Sequence, residues 1–210
     1  MIRVALVDDH EIVRLGIRKI LDDSPDIDIL GEADTGDDGY KLYLSVAPDV
    51  LLLDMNMPGC SGLALLGQLV ARDSEAKVIM LSSHEEMTFA IQAIGAGAKG
   101  YILKSSSSEE VMQAIRTVAN GNSYLSAEVA QNIALQNLIH QENPLQKLTS
   151  REFEIFRLLA EGVEIDVIAE RLKIGPKTVA NYQTTLKHKL NIATPVQMVR
   201  LALKHHVVSL

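Results

Sequence analysis

Val50-Leu-Leu-Leu-Asp54-Met-Asn56-Met-Pro58-Gly59 is the stretch on which the fold turns. Four aliphatic residues in a row leave no polar face, as in a strand covered by helices on both sides. An acid ends the run, and Pro-Gly then bends the chain. The same wholly apolar pattern returns at 78–81. Working outward, β-branched and aliphatic runs occupy 2–7, 27–33 and 100–103. Between the strands lie 11–21, 37–46, 63–72, 86–94 and 109–120, whose apolar residues recur three to four apart, the helical period. Five βα units in succession imply an α/β domain with a doubly wound, five-stranded parallel sheet, right-handed crossovers and helices on both faces. It is expected to span residues 1–121.

After Ser126 the pattern is helical only. Residues 127–138 are periodic, and a polar stretch with a proline stop at Pro144 follows, so 122–145 reads as a helical linker. Four helices are expected at 150–161, 164–172, 176–190 and 195–205, forming an all-α domain over 146–210. Thr149 or Ser150 can cap the first, with Glu152 in its opening turn favouring the helix dipole. Gly162 stands where a C-terminal glycine belongs, and Gly175-Pro176 is a start signal for the third.

The chain has 210 residues, 27 acidic, 20 basic and one cysteine, Cys60. A lone cysteine excludes a disulfide-scaffolded secreted domain. The first residues lack the basic start and cleavage site of a signal peptide, and no apolar run approaches the ~20 residues that span a bilayer. A cytoplasmic protein with no membrane contact is expected. Net charge is divided: residues 1–122 carry −9 and residues 144–210 carry +4. A basic half beside an acidic one is a candidate for nucleic acid. No phosphate-binding Gly-x-x-x-x-Gly-Lys-Ser/Thr and no haem Cys-x-x-Cys-His is present.

In an open parallel sheet, ligands bind beyond the carboxyl ends of the strands. Those ends supply Asp8 and Asp9 after strand one, Asp54 after strand three, Ser82 and Ser83 after strand four, and Lys104 after strand five. Any one of these acids is adequately explained as a cap for the next helix; the set together is not. Clustered carboxylates repel unless a cation joins them, and a hard ion such as Mg²⁺ takes one or two carboxylates with water or phosphate oxygens. Lys104 and a serine hydroxyl add what a phosphoryl group needs. The spacing points to a metal-assisted phosphoryl site and leaves open whether Asp54 is nucleophile or ligand.

VALVDDHEIVRLGIRKIL (4–21), VLLLDMNMPGCSGL (50–63), VIMLSSHEE (78–86) and GAKGYILKSS (97–106) resemble the receiver domain of bacterial two-component response regulators, a flavodoxin/CheY-like fold. The resemblance implies that Asp54 is the phosphoacceptor, with Mg²⁺ held by Asp8, Asp9, Asp54 and the Asn56 backbone carbonyl. It makes Ser82 the switch hydroxyl, Tyr101 the switch aromatic and Lys104 the phosphoryl contact. Two positions depart from the pattern: Ser105 follows Lys104 where many receivers have a proline after a cis peptide, and Ser82 stands where threonine is commoner. His84, two residues on, is a candidate for influencing phosphoryl lifetime but reads more simply as an exposed loop histidine. Cys60 reads as a small loop residue without a redox role.

Helix 176–190 carries Lys177, Lys187 and Lys189 and no acid. Lys177, Asn181, Thr184, Thr185 and His188 fall near one face, while Val179, Leu186 and Leu190 can turn inward. A short helix, a tight turn and this basic helix have the form of a helix-turn-helix. LTSREFEIFRLLAEG (148–162), IAERLKIGPKTVANY (168–182) and HKLNI (188–192) resemble the NarL/FixJ (LuxR-type) DNA-binding domain. That resemblance places Thr178 and Val179 at the start of the recognition helix, among its DNA-contacting residues. Ala180, Asn181, Thr184 and His188 fall on its DNA side, Lys177 and Lys189 on phosphates, and the last helix is the dimer surface. The Pro-Lys-Thr-Val start resembles the GacA/UvrY group of global regulators. Ala180 replaces a common lysine and EIDVIA (164–169) a more basic segment, so affinity should lean on dimerisation.

The whole reads as a phosphorylation-switched transcription factor rather than an enzyme, with slow autodephosphorylation at most. Its expected partners are a sensor histidine kinase, double-stranded promoter DNA and, when phosphorylated, a second copy. The linker would let the receiver dock over the recognition helix until phosphorylation releases it. An aspartyl phosphohydrolase is the enzyme alternative, but it needs a second acid-base aspartate where Asn56 stands. A tail devoted to protein interaction is the other, favoured by the two losses of positive charge.

Overall fold

The computed structural model describes residues 1–57, 59–83, 87–138 and 143–208. His84 and the polar stretch 140–142 of the expected linker lie outside the described residues, as does Pro58. The strands are β1 (Ile2–Val7), β2 (Ile27–Ala33), β3 (Val50–Asp54), β4 (Val78–Ser82), β5 (Gly100–Leu103) and β6 (Tyr124–Leu125). Between them run α1 (Glu11–Asp22), α2 (Gly36–Val46), α3 (Gly62–Arg72), α4 (Met87–Gly95) and α5 (Ser108–Ala119). After β6 come α6 (Ala127–Leu138), a 3₁₀ turn (Pro144–Lys147), α7 (Ser150–Ala160), α8 (Ile165–Arg171), α9 (Pro176–Leu190) and α10 (Pro195–Lys204).

All strand pairs are parallel, in the order β2-β1-β3-β4-β5-β6. The sheet therefore has one strand more than expected and runs past Gly121. β6 is two residues long, too short to leave a period in the sequence, and pairs with Gly100 and Tyr101. Side chains alternate strictly. Val4, Leu6, Leu52, Ile79, Leu81 and Ile102 pack with α1 and α5 residues such as Leu21 and Ile115. Ala5, Val7, Leu51, Leu53, Met80 and Tyr101 join Leu65, Leu66 and Leu69 of α3 and Phe89 of α4 on the other face. Burial on both faces is why these strands lack the polar-apolar alternation of a half-exposed sheet.

The order of the chain reverses between β1 and β3, which lie side by side with Val7 opposite Leu53. Their carboxyl ends carry Asp8 and Asp54 into the crevice that such a switch point creates. The loop after β3 returns tightly: the Gly62 amide donates to the Met55 carbonyl (3.1 Å). A Cβ at residue 62 would overlap the Asp54 carbonyl oxygen, so only glycine fits there.

In the tail, Thr149 closes a capping box with Glu152 at the start of α7, and Gly162 takes φ +80° at its end. Phe153, Phe156, Val179 and Leu186 are fully buried. The Arg151 guanidinium donates to the Leu172 carbonyl (2.7 Å), holding α7 against the turn between α8 and α9.

The tail packs on the receiver through α7 and the 3₁₀ turn, which lie against α3 and α4. The Phe89 and Phe153 rings meet edge to face, centroids 5.5 Å apart. The Gln92 amide donates to the Leu145 carbonyl (2.8 Å), the Asn143 amide to the Thr88 hydroxyl (3.0 Å), and Lys173 pairs with Asp37 (2.7 Å). This arrangement differs from docking over the recognition helix. α7 buries the apolar residues Phe153, Ile155, Phe156 and Leu158, whereas the outer face of α9 is polar and exposed.

Candidate functional site

Asp8 and Asp54 are almost wholly buried, at 0% and 1% exposure. Lys104 stands between them, its ammonium 2.8 Å from Asp8 Oδ2 and 2.9 Å from Asp54 Oδ1. β5 delivers it there: the Lys104 amide donates to the Ser82 carbonyl (2.7 Å), which extends the β4–β5 pairing by one residue. Ligand atoms of Asp8, Asp9, His10 and Asp54 all lie within 4.8 Å of one another. Asp8 Oδ1 accepts from the His10 amide (2.8 Å), fixing its orientation. Asp54 Oδ2 is buried and, among the described residues, has no hydrogen-bond partner.

Burial pushes the Asp54 carboxyl above the ordinary range; the Lys104 bond opposes that, and the negative charge of Asp8 adds to it. Three carboxylates around one ammonium leave excess negative charge, and a buried carboxylate oxygen without a partner is costly. Both features fit a divalent cation with oxygen preference. The pocket is acidic and compatible with Mg²⁺.

Four of the residues expected at the site, Asp8, Asp9, Asp54 and Lys104, come together here. Asn56 follows in the β3–α3 loop, and its backbone amide bonds to the Asp54 side chain. Ser82 is fully buried at the end of β4. Tyr101 is fully buried as well, in the cluster that also holds Met80 and Phe89. No cis peptide occurs among the described residues, so Ser105 follows Lys104 through an ordinary trans bond. Cys60 lies beside Asp37 and Glu154; burial, reinforced by those two carboxylates, pushes its thiol up to about 11.

Two contributors escape notice in the sequence. The His10 ring Nδ1 lies 2.8 Å from Asp9 Oδ1 and 3.5 Å from the Lys104 ammonium, at the rim of the pocket. Arg14 donates to the Asp8 carbonyl (2.6 Å) from the first turn and a half of α1. His10 directly follows the paired acids, which is a signal; Arg14 is one of several charged residues on a helix and carries none.

The second region is α9. Lys177, Thr178, Asn181, Thr184 and His188 are exposed along it, and Ala180 is half-buried. Val179 departs from its expected place on the DNA side: it is fully buried in the tail's core. Its position two residues after Lys177 turns it inward with Leu186, seven residues on, as helical spacing requires. Lys189 is tied to Glu152 of α7 (2.8 Å) rather than free on the surface.

A phosphoryl-type acidic pocket on a doubly wound sheet, joined to a helix-turn-helix, defines a class of two-domain signalling transcription factors. The comparisons with known proteins make it specific. The response regulator receiver domain model matches residues 4–116, and that of bacterial regulatory proteins of the luxR family matches 146–202. The chain belongs to the NarL/FixJ-type response regulators. Response regulator UvrY of Escherichia coli K12 is 40% identical over 207 residues, covering 98% of this chain and 95% of UvrY. Response regulator GacA of Pseudomonas aeruginosa is 37% identical over 210 residues, covering 99% and 98%. RcsB of Salmonella enterica serovar Typhimurium, solved bound to promoter DNA with a phosphomimetic, shares the fold (TM-score 0.74, 21% identity, 95% and 97% covered). Among the described residues no helix is long and apolar enough to cross a membrane.

Proposed function

We propose that this response regulator accepts a phosphoryl group on Asp54 from a phosphohistidine of a sensor kinase, and that the modification controls promoter binding through α9. The observation that carries the reading is Asp54 Oδ2: buried, without a hydrogen-bond partner among the described residues, and clustered with Asp8 and Asp9 beside Lys104. That oxygen attacks phosphorus in line; the new O–P bond forms as the P–N bond breaks and the imidazole leaves. Lys104 neutralises charge developing on the phosphoryl oxygens, and Ser82 lies at the next strand end to bond one of them. Asp8, Asp9, Asp54 and the Asn56 carbonyl are the residues that would hold Mg²⁺, which when bound supplies further neutralisation of those oxygens.

The labour divides along the chain: residues 1–121 receive; 122–145, whose β6 adds a strand to the receiver's sheet, connect; 146–210 bind DNA as a homodimer. Lys177 meets phosphates, while Thr178, Asn181, Thr184 and His188 face the major groove. Turnover is confined to slow loss of the phosphoryl group, and the protein works in the cytoplasm, where its promoter is. The test is incubation with Mg²⁺ and acetyl phosphate followed by intact mass, wild type beside Asp54→Asn. One added phosphoryl group on the wild type alone is expected; equal addition to both proteins overturns the assignment of Asp54.

A further inference from the structure

The receiver and the tail share one buried hydrogen bond that begins beside Asp54. Ser61 closes the loop that follows the phosphoacceptor. Its hydroxyl accepts from the Ala64 amide as the N-cap of α3 (3.3 Å) and donates to Glu154 Oε1 of α7. Ser61 is 5% exposed and Glu154 3%. The other Glu154 oxygen accepts from Arg151 (3.0 Å), so the carboxylate is held from both sides. On the receiver side, Gly62 packs directly on the Asp54 carbonyl and is bonded to Met55. One glycine therefore separates the backbone of the phosphoacceptor from the side chain that holds α7.

The other buried bonds of the interface lie on α4, away from the β3–α3 loop: Gln92 donates to the Leu145 carbonyl and Asn143 to the Thr88 hydroxyl. A cavity of about 600 Å³ opens between α3 and α7, lined by Leu63, Ala64, Gln68, Arg151 and Lys173 among others. Lys173 and Asp37 at its edge are largely exposed, and an exposed pair contributes little. The Phe89–Phe153 contact supplies apolar burial without sensing the pocket. A charge-assisted bond buried between the domains is worth more than either, and losing its donor leaves a buried carboxylate short of a partner.

We propose that the Ser61–Glu154 bond is the latch by which the state of Asp54 sets the docking of the tail. The route runs through the β3–α3 loop and is separate from Ser82 and Tyr101. Adding a phosphoryl group to Asp54 repositions residues 55–61 around it, draws the Ser61 hydroxyl off Glu154 and frees α7 from α3. The inference rests on Asp54 being the phosphoacceptor.

The test is hydrogen–deuterium exchange across 62–72 and 150–160 in the full-length chain, with and without acetyl phosphate and Mg²⁺, recording intact mass on every sample. Ser61→Asp keeps a strong helix cap and sets a carboxylate against Glu154; adding Glu154→Gln restores a donor to that pair. The expected result is exchange across 150–160 about tenfold faster in Ser61→Asp than in unphosphorylated wild type, matching the phosphorylated wild type. The double variant should return to the slow rate. Slow exchange in Ser61→Asp, or no recovery in the double variant, overturns the latch. So does a wild type that gains a phosphoryl group with unchanged exchange. A wild type that gains no phosphoryl group overturns the reading of Asp54 instead, and the latch is then decided by the two variants without donor.

Discussion

The phosphoacceptor pocket and the recognition helix are both polar, yet they are built on opposite plans. In the pocket, charged side chains from β1, β3 and β5 converge within hydrogen-bond reach and are buried, so each depends on the others. On α9, Lys177, Thr178, Asn181, Thr184 and His188 stand apart along one helix in solvent, tied to one another by nothing stronger than backbone geometry. Convergence makes a site in which one change is close to all or none. Dispersion makes a surface on which losses add, since separated positions rarely couple.

The largest effect that follows is at Lys104. It is the only ammonium between Asp8 and Asp54 among the described residues, and under the proposed transfer to Asp54 it sits where charge develops. Lys104→Ala is expected to slow phosphorylation of Asp54 by about 10²–10³-fold, the cost of one preorganised electrostatic donor. The measurement is the rate of mass gain from acetyl phosphate. A loss below about fivefold would mean that the pocket's charges do not act together and that positioning alone carries the reaction.

Next in size is a contrast within α9 itself, between Val179 and Asn181, two residues apart on opposite faces. Val179→Ala should lower the stability of the tail by about 2 kcal/mol, through lost burial and the cavity left behind, and reduce DNA binding only as the fold weakens. Asn181→Ala should leave stability within about 0.5 kcal/mol and weaken promoter binding by about 1–3 kcal/mol. Thermal unfolding and a titration with promoter DNA, run on both variants, separate the two. If Val179→Ala lost DNA affinity with full stability, its side chain would have to leave the core on binding.

The sheet and its pocket are legible in the sequence because a doubly covered parallel strand must be continuously apolar, and the first polar residue after it must lie at the carboxyl edge. Asp54 and Lys104 are found by that rule alone. β6 is not, since two residues carry no period. The docking of α7 on α3 is not legible either. One of its buried bonds joins Ser61, which reads as an ordinary helix cap, to Glu154, which reads as one more surface acid in a charged helix; only burial reveals their pairing. Val179 shows the reverse, a residue whose family position suggested the groove while its helical phase already indicated the core.

The smallest expected effect tests how far a dispersed surface is tied to the fold beneath it. Lys189, at the far end of α9, reaches Glu152 of the capping box that starts α7. Burial on its own would raise the Glu152 carboxyl, but the bonds from Lys189 and Thr149 outweigh it and hold the group below the ordinary glutamate range. The unfolded chain thus takes up this proton more readily than the folded one. The contribution to stability is complete above the unfolded value of about 4.3 and is lost as pH falls through the folded value. Because Lys189 is more than a third exposed, the gain is under about 1 kcal/mol. Unfolding of Lys189→Met beside wild type should therefore differ by that small amount at neutral pH, and the difference should vanish in acid as Glu152 protonates in both. A difference that persisted below the folded value would place the role of Lys189 in packing along its aliphatic stem, and the charged tether from α9 to Glu152 would be no tether at all.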